Sequence, residues 1–236
     1  MKMEELIEMK LFCIPHAGGS AIAYNKWKRC LDNNIELIPV ELAGRGMRIE
    51  EKIYDSLNEA IADASKFIED NIGEDDYMIY GHSMGCAIAY EVCCNLYKKG
   101  YKMPVNLFLS GRECPYMKGE GEVLYNLSDE DFAKAVVELG GTPKEVFEDE
   151  GLSSLFVPIL RQDYKNIETF EHINKDTILP VNMTVLNGKD DDVTDEQIEG
   201  WRKLTSKEFR RFDFDGGHFF LYETPEKVVK IINETV

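Results

Sequence analysis

Apolar residues along this chain recur at two spacings. Short runs that are continuously apolar or apolar at every second position cover residues 10–14, 35–40, 77–80, 105–110, 181–186 and 208–214, the patterning of β-strands. Around residues 23–31, 56–71, 86–98 and 225–235 the apolar positions instead fall three and four apart, which puts them on one face of a helix. Thr224 and Pro225 open the last of these as N-cap and first-turn residue. Strands alternating with helices predict an α/β fold, a mostly parallel central sheet with helices on both faces. No internal repeat or low-complexity linker divides the chain, so residues 1–236 read as one domain.

One strand ends in a motif. Tyr77-Met78-Ile79-Tyr80 runs into Gly81-His82-Ser83-Met84-Gly85, a Gly-x-Ser-x-Gly placed between strand and helix, as in a nucleophile elbow. A strand that reverses sharply into a helix strains the serine backbone, and side chains at the flanking glycines would collide with neighbouring elements. The positive N-terminal end of the following helix then favours negative charge growing on a substrate oxygen. Five residues of pattern alone arise by chance; the strand before and the helix after give the match its weight.

A serine hydroxyl is a poor nucleophile at neutral pH and needs a histidine base with a carboxylate to orient it. The chain has four histidines. His16 is near the N-terminus, His82 is inside the elbow and His172 falls in a predicted helix, which leaves His218 in the loop Asp215-Gly216-Gly217-His218-Phe219-Phe220. In α/β-hydrolases the acid lies between serine and histidine along the chain. There, Val181–Leu186 reads as a strand opening into Asn187-Gly188-Lys189-Asp190-Asp191-Asp192. A solvated acidic loop is the plainer reading of that turn, and its place between Ser83 and His218 reverses the preference. For an oxyanion hole, the Met84 amide supplies one donor. The second comes from the early turn Pro15-His16-Ala17-Gly18-Gly19-Ser20, with Ala17 preferred and His16 the alternative. That turn lacks both the Lys-Ser/Thr ending of a phosphate-binding loop and the glycine spacing of a dinucleotide fingerprint.

About seventy residues separate the strand ending at Gly111 from the one beginning near Val181, too many for one crossover helix. Residues 112–175 therefore predict a helical lid inserted within the domain. Ser128 opens a helix in a capping-box arrangement with Asp131, Phe132, Ala135, Val136 and Leu139 share one face of it, and Gly140-Gly141 end it. Thr142-Pro143-Lys144-Glu145 starts a second helix, and a third spans Leu152–His172, begun or kinked by Pro158. Such apolar faces ordinarily pack on the main domain, yet a helical insertion above the C-terminal edge of the sheet is also where a hydrolase shapes an acyl pocket.

Taken together, Pro15-His16-Ala17-Gly18-Gly19, Glu41-Leu42-Ala43-Gly44-Arg45-Gly46, Gly81-His82-Ser83-Met84-Gly85, Leu139-Gly140-Gly141-Thr142-Pro143, Leu160-Arg161-Gln162-Asp163-Tyr164 and Gly216-Gly217-His218-Phe219 resemble the type II thioesterases of nonribosomal peptide and polyketide synthesis, within the α/β-hydrolase superfamily. The resemblance implies Ser83 as nucleophile, His218 as general base and Asp191, three residues past Gly188, as orienting acid. It also implies an acyl group on the phosphopantetheine arm of an acyl or peptidyl carrier protein as substrate, and the clearing of misloaded carriers as role. The chain departs from the family's usual proline before the Gly-Arg turn, where it has Ala43. Medium-chain fatty-acyl thioesterases share these motifs. A general small-ester hydrolase and an inactive scaffold of the same fold are the remaining alternatives, the last disfavoured by the intact serine, histidine and acid turn.

Composition narrows the partners. The longest apolar runs fall below the ~18 residues of a membrane span, and Met1–Glu8 is acidic, without the basic and long apolar regions of a signal peptide, so a cytoplasmic, monomeric enzyme without membrane contact is expected. Six cysteines show no ligand spacing and sit mostly in apolar segments, as thiols of a reducing compartment do; no metal or redox cofactor is implied. A net charge of −17, from 44 acidic and 27 basic residues, gives nucleic-acid binding no support. It also repels an acidic carrier. Lys98, Lys99, Lys102, Arg112, Lys118, Arg202, Lys203, Arg210 and Arg211 are local cations, none in a dense run, so salt is expected to weaken carrier docking little.

Overall fold

The six apolar runs each become a strand: β1 (Met9–Ile14), β2 (Ile35–Pro39), β3 (Asp76–His82), β4 (Asn106–Ser110), β5 (Asn182–Gly188) and β6 (Phe209–Phe214). They form one sheet in the order β2-β1-β3-β4-β5-β6, and every neighbouring pair is parallel. The α-helices are α1 (Leu57–Asn71), α2 (Met84–Lys99), α3 (Asp129–Leu139), α4 (Glu145–Glu148), α5 (Glu150–Glu168), α6 (Asp195–Gly200), α7 (Phe220–Glu223) and α8 (Pro225–Asn233). This computed structural model describes residues 9–117, 119, 121 and 123–236; the acidic segment Met1–Glu8 and the cation Lys118 lie outside the described residues.

Strand periodicity sorts side chains to two faces. Phe12, Ile14, Tyr77, Ile79, Leu107 and Leu109 meet α1 and α2 in one core. Leu11, Cys13, Met78, Tyr80 and Phe108 meet Tyr24, Trp27 and α8 in the other. α2 is buried nearly all round, as expected of a helix pressed between the sheet and α1.

The predicted helix at 23–31 is a 3-10 helix over Ala21–Arg29. Ala21, Tyr24 and Trp27 are three apart, so at three residues per turn they stack on one side, and Tyr24 and Trp27 are fully buried. The third crossover helix, predicted over Leu152–His172, starts and stops earlier, as α5. Asp149 caps it by accepting from the Leu152 amide at 2.8 Å, Pro158 sits inside it, and beyond Glu168 the chain turns inward. There Phe170 joins the main core and His172 Nδ1 meets Glu91 of α2 at 2.8 Å, so His172 is in no helix. Ser128 caps α3 through the Asp131 amide at 3.2 Å; the return bond joins its own hydroxyl to the Asp131 carboxylate rather than the Ser128 amide. Thr224 precedes α8, but its hydroxyl donates back to the Phe220 carbonyl at 3.3 Å and caps nothing.

The crossover packs in two ways. Phe132, Val136 and Leu160 form a small cluster of their own with Leu124, Leu127, Phe147, Val157 and Tyr164. Ile167, near the end of α5, belongs instead to the main core. All six cysteines are free. Among the described residues no helix is long and apolar enough to cross a membrane, and no group of three or more His, Cys, Asp or Glu side chains is arranged to hold a metal ion.

Candidate active site

β3 passes into α2 with Ser83 alone between them. Ser83 has φ 55° and ψ −116°, and it is the one non-glycine at positive φ among the described residues, a conformation that costs on the order of 1–3 kcal/mol. The glycines make it attainable. A Cβ on Gly81 would lie 2.1 Å from the Gly85 carbonyl oxygen, and one on Gly85 would lie 2.2 Å from that of Ile14, so both positions demand glycine. The Ser83 amide donates to the Ser110 carbonyl at 2.8 Å, tying the elbow to β4. Met84 begins the sixteen-residue α2, and its first-turn amide has no carbonyl within the helix to meet.

His218 and Ser83 line the same cavity, about 320 Å³ in volume. His218 Nδ1 donates to Asp191 Oδ2 at 2.9 Å, which fixes the tautomer and leaves the Nε2 lone pair available. The other carboxylate oxygen of Asp191 accepts the Asp192 amide at 2.9 Å. Of the three consecutive aspartates, Asp191 is the one turned inward, its side chain 5% exposed; Asp190 and Asp192 are exposed. Gly188 permits this approach, since a Cβ there would lie 2.2 Å from the Gly217 carbonyl oxygen. The acid turn and the histidine loop therefore touch through backbone.

Two further imidazoles flank His218. His82 is fully buried, with its ring 5.0 Å from that of His218 and its Nδ1 bonded to the Ser110 hydroxyl at 2.9 Å. Burial, and then the proximity of His218 and His16, hold it well below the usual imidazole range. His16 donates from Nδ1 to the Ala17 carbonyl at 2.8 Å, and its Nε2 accepts from the Tyr222 hydroxyl at 2.6 Å. Burial is the main force that lowers its pKa to about 4, against some support from the Ala17 carbonyl. The amides of His16 and Ala17 have no acceptor among the described residues, so either is free to donate to an oxyanion.

A buried neutral histidine has a consequence for stability. Above its unfolded pKa near 6.5 neither state is protonated and His16 adds no pH dependence. As pH falls from there towards about 4 the unfolded chain gains a proton that the folded chain does not. Between about pH 7 and about pH 4.5 this one group should remove roughly 2 kcal/mol of stability. Urea unfolding at both pH values tests this: His16→Asn should lose less stability than wild type, and equal losses would contradict a neutral His16.

The cavity wall is mixed: Arg112, Glu113, Glu168, Asp192 and Gln197 line it together with the apolar Val123, Leu139, Ile167 and Phe219. Buried Nε of Arg112 has no partner among the described residues. A second cavity, of about 260 Å³, lies between the Gly18-Gly19 turn and the crossover residues Pro143, Val146 and Phe156; His16 lines both cavities. Tyr222 and this second cavity escaped the sequence reading, and Arg112, expected there as a cation for carrier docking, lines the cavity with Ser83 and His218 instead. Ala43, where proline is usual, uses the amide that proline lacks: it donates to the Tyr54 hydroxyl at 3.0 Å.

The Thioesterase domain family matches the chain over residues 9–236. Among similar proteins, "Linear gramicidin dehydrogenase LgrE" of Brevibacillus parabrevis is 33% identical over 239 residues, covering 100% of this chain and 90% of that one. "S-acyl fatty acid synthase thioesterase, medium chain" of Rattus norvegicus is 33% identical, covering 90% and 81%. The crystal structure of ClbQ from the colibactin NRPS/PKS pathway superposes with a TM-score of 0.90 at 34% identity, covering 97% of this chain and 96% of that one. The word dehydrogenase in the first name finds no counterpart at the turn after β1, where Pro15-His16-Ala17-Gly18-Gly19-Ser20 lacks the Gly-x-Gly-x-x-Gly of a dinucleotide site.

Proposed function

The chain belongs to the thioesterase domain family and is a thioester hydrolase, and from that premise we propose that Ser83, His218 and Asp191 cleave acyl groups from the phosphopantetheine arm of a carrier protein. The hydrogen bond from His218 to Asp191, with Ser83 in the same cavity on a strained elbow, carries this reading. Ser83 Oγ attacks the thioester carbonyl carbon as its proton passes to His218 Nε2, and the amides of Met84 and Ala17 hold the tetrahedral oxyanion. Collapse breaks the carbon–sulfur bond, and the departing thiolate takes the proton from His218. Water, deprotonated by His218, then attacks the acyl-serine ester; the second collapse releases the acid and returns the proton to Ser83.

A carrier-bound thioester has two arms, and two cavities that share His16 suit such a substrate. The crossover supports a lid built on α3, α4 and the stretch of α5 that carries Val157, Leu160 and Tyr164, which share an apolar cluster, while Ile167 at the end of α5 is part of the body. The polar wall bears on the acyl group. A medium-length alkyl chain would strip water from Arg112, Glu113 and Asp192 without replacing its hydrogen bonds, at a cost above the roughly 1–3 kcal/mol of a neutral polar group because these side chains are charged. Short or polar acyl groups avoid that cost, so acetyl thioesters should be preferred to octanoyl thioesters; the reverse order would favour a fatty-acyl thioesterase.

Carrier contacts remote from the carbonyl can raise turnover as well as binding, so an acyl group on an intact carrier should be cleaved far better than on pantetheine. Most cations noted in the sequence are engaged: Lys99 with Glu69, Lys102 with Asp76, Arg112 with Glu113, Arg202 with Glu199 and Arg211 with Asp195 and Asp213. Salt should therefore affect kcat/KM for the carrier substrate weakly, or raise it by screening repulsion. Equal rates on carrier and pantetheine would favour a small-ester hydrolase. A steep loss with salt would assign docking to a basic face such as exposed Lys26, Lys28 and Arg29.

A further inference from the structure

The turn that carries Ala17 is anchored by an ion pair formed well outside the triad. Arg45 and Asp163 are 2% and 3% exposed. Their contact is bidentate, Nη1 to Oδ2 at 2.5 Å and Nη2 to Oδ1 at 3.0 Å. Arg45 comes from a turn after β2 forced by two glycines at positive φ, Gly44 at 78° and Gly46 at 51°; Asp163 comes from α5. Both reach the same short stretch of backbone. Asp163 Oδ2 also accepts the Gly18 amide at 2.8 Å, and Arg45 Nη1 also donates to the Gly19 carbonyl at 3.2 Å. One turn before Asp163 on α5, Leu160 presses on Gly18, where a Cβ would lie 2.4 Å from Leu160 Cδ1. On the other side His16 holds the Ala17 carbonyl and is itself held by Tyr222.

The polar groups around Ala17 are thus committed, and its own amide is left free. That is the condition for a preorganised oxyanion donor, whose value lies in being aimed before charge develops. We infer that Arg45 and Asp163 are positioning residues, which fix the Gly18-Gly19 backbone so that the Ala17 amide points at the developing oxyanion. The inference rests on the serine-hydrolase reading of the site. Stability alone accounts poorly for the pair: desolvating two full charges offsets most of their attraction, and replacing such pairs by well-packed apolar side chains is often neutral or stabilising. A misplacement of about 1 Å at a reacting group, by contrast, can cost about a hundredfold in rate.

The discriminating variant is the double replacement Arg45→Met/Asp163→Leu, which removes the charges together and keeps the volume. It should still fold, with a melting temperature lowered by the loss of partners for the Gly18 amide and the Gly19 carbonyl. On acyl-pantetheine its kcat should fall about 10²- to 10³-fold, the range seen when an oxyanion donor is lost, with KM nearly unchanged. Affinity for an alkyl boronic acid, which forms a tetrahedral adduct on the serine, should fall by the same factor as kcat. A folded double variant with wild-type kcat, or with kcat reduced and boronate affinity intact, would overturn the inference. Should the double variant not fold, Asp163→Asn keeps an oxygen for the Gly18 amide while weakening the hold of Arg45: a fall in kcat matched by weaker boronate binding supports the inference, and an unchanged kcat contradicts it. The hydrolase reading fails separately, by activity that survives loss of Ser83.

Discussion

Ser83→Ala is expected to lower thioester hydrolysis by about 10⁶-fold while leaving the fold intact, the size of effect found when a serine nucleophile is removed from this chemistry. The elbow geometry does not depend on the hydroxyl. It is set by the contacts of Gly81 and Gly85 with neighbouring carbonyls and by the Ser83 amide on Ser110, all of which alanine retains. The thermal transition should therefore hardly move as turnover disappears. Steady-state hydrolysis of acyl-pantetheine measures the loss, and residual activity above about a thousandth of wild type would exclude Ser83 as the nucleophile.

Asp191→Asn should cost on the order of 10⁴-fold in kcat, because an amide facing Nδ1 favours the imidazole tautomer that cannot accept the serine proton. The structure sets the contrast for the other two acids. Asp191 Oδ2 meets His218 at 2.9 Å, whereas the Asp190 and Asp192 side chains are exposed, and surface changes of that kind usually move energies by no more than about 0.5 kcal/mol. Asp190→Asn should keep kcat near wild type, and Asp192→Asn, which alters the cavity wall but not the hold on His218, should change it far less than Asp191→Asn. Equal, mild losses at all three positions would mean that the histidine is oriented by some other group.

Most of these residues were legible in the sequence because each rests on a local cause. The glycines of the elbow follow from close contacts within five residues and the strand beside them, the six strands from side-chain alternation, and α3 from Ser128 and Gly140 at its ends. The acid turn could be found through its place between Ser83 and His218, but among its three aspartates only the family resemblance pointed to Asp191; no local signal in the turn separates it from Asp190 and Asp192. What the sequence concealed was tertiary. Arg45 and Asp163 are 118 positions apart, and the Tyr222 hydroxyl meets His16 across 206; no periodicity marks either pair. The 3-10 helix at Ala21–Arg29 was concealed because an apolar spacing of three resembles one face of an α-helix. The end of α5 depends on where Phe170 and His172 find partners, not on any stop signal at Glu168.

The central claim is that Ser83, activated by His218, forms a covalent acyl intermediate. Peptide mass mapping after reaction with a fluorophosphonate tests it most directly, because that reagent captures serines made nucleophilic by a neighbouring base. The account predicts one adduct, on Ser83, formed in step with the loss of thioester hydrolysis and greatly slowed in His218→Ala. An unlabelled Ser83 in a protein that still hydrolyses acyl-pantetheine, or labelling at another residue that abolishes activity, would contradict it.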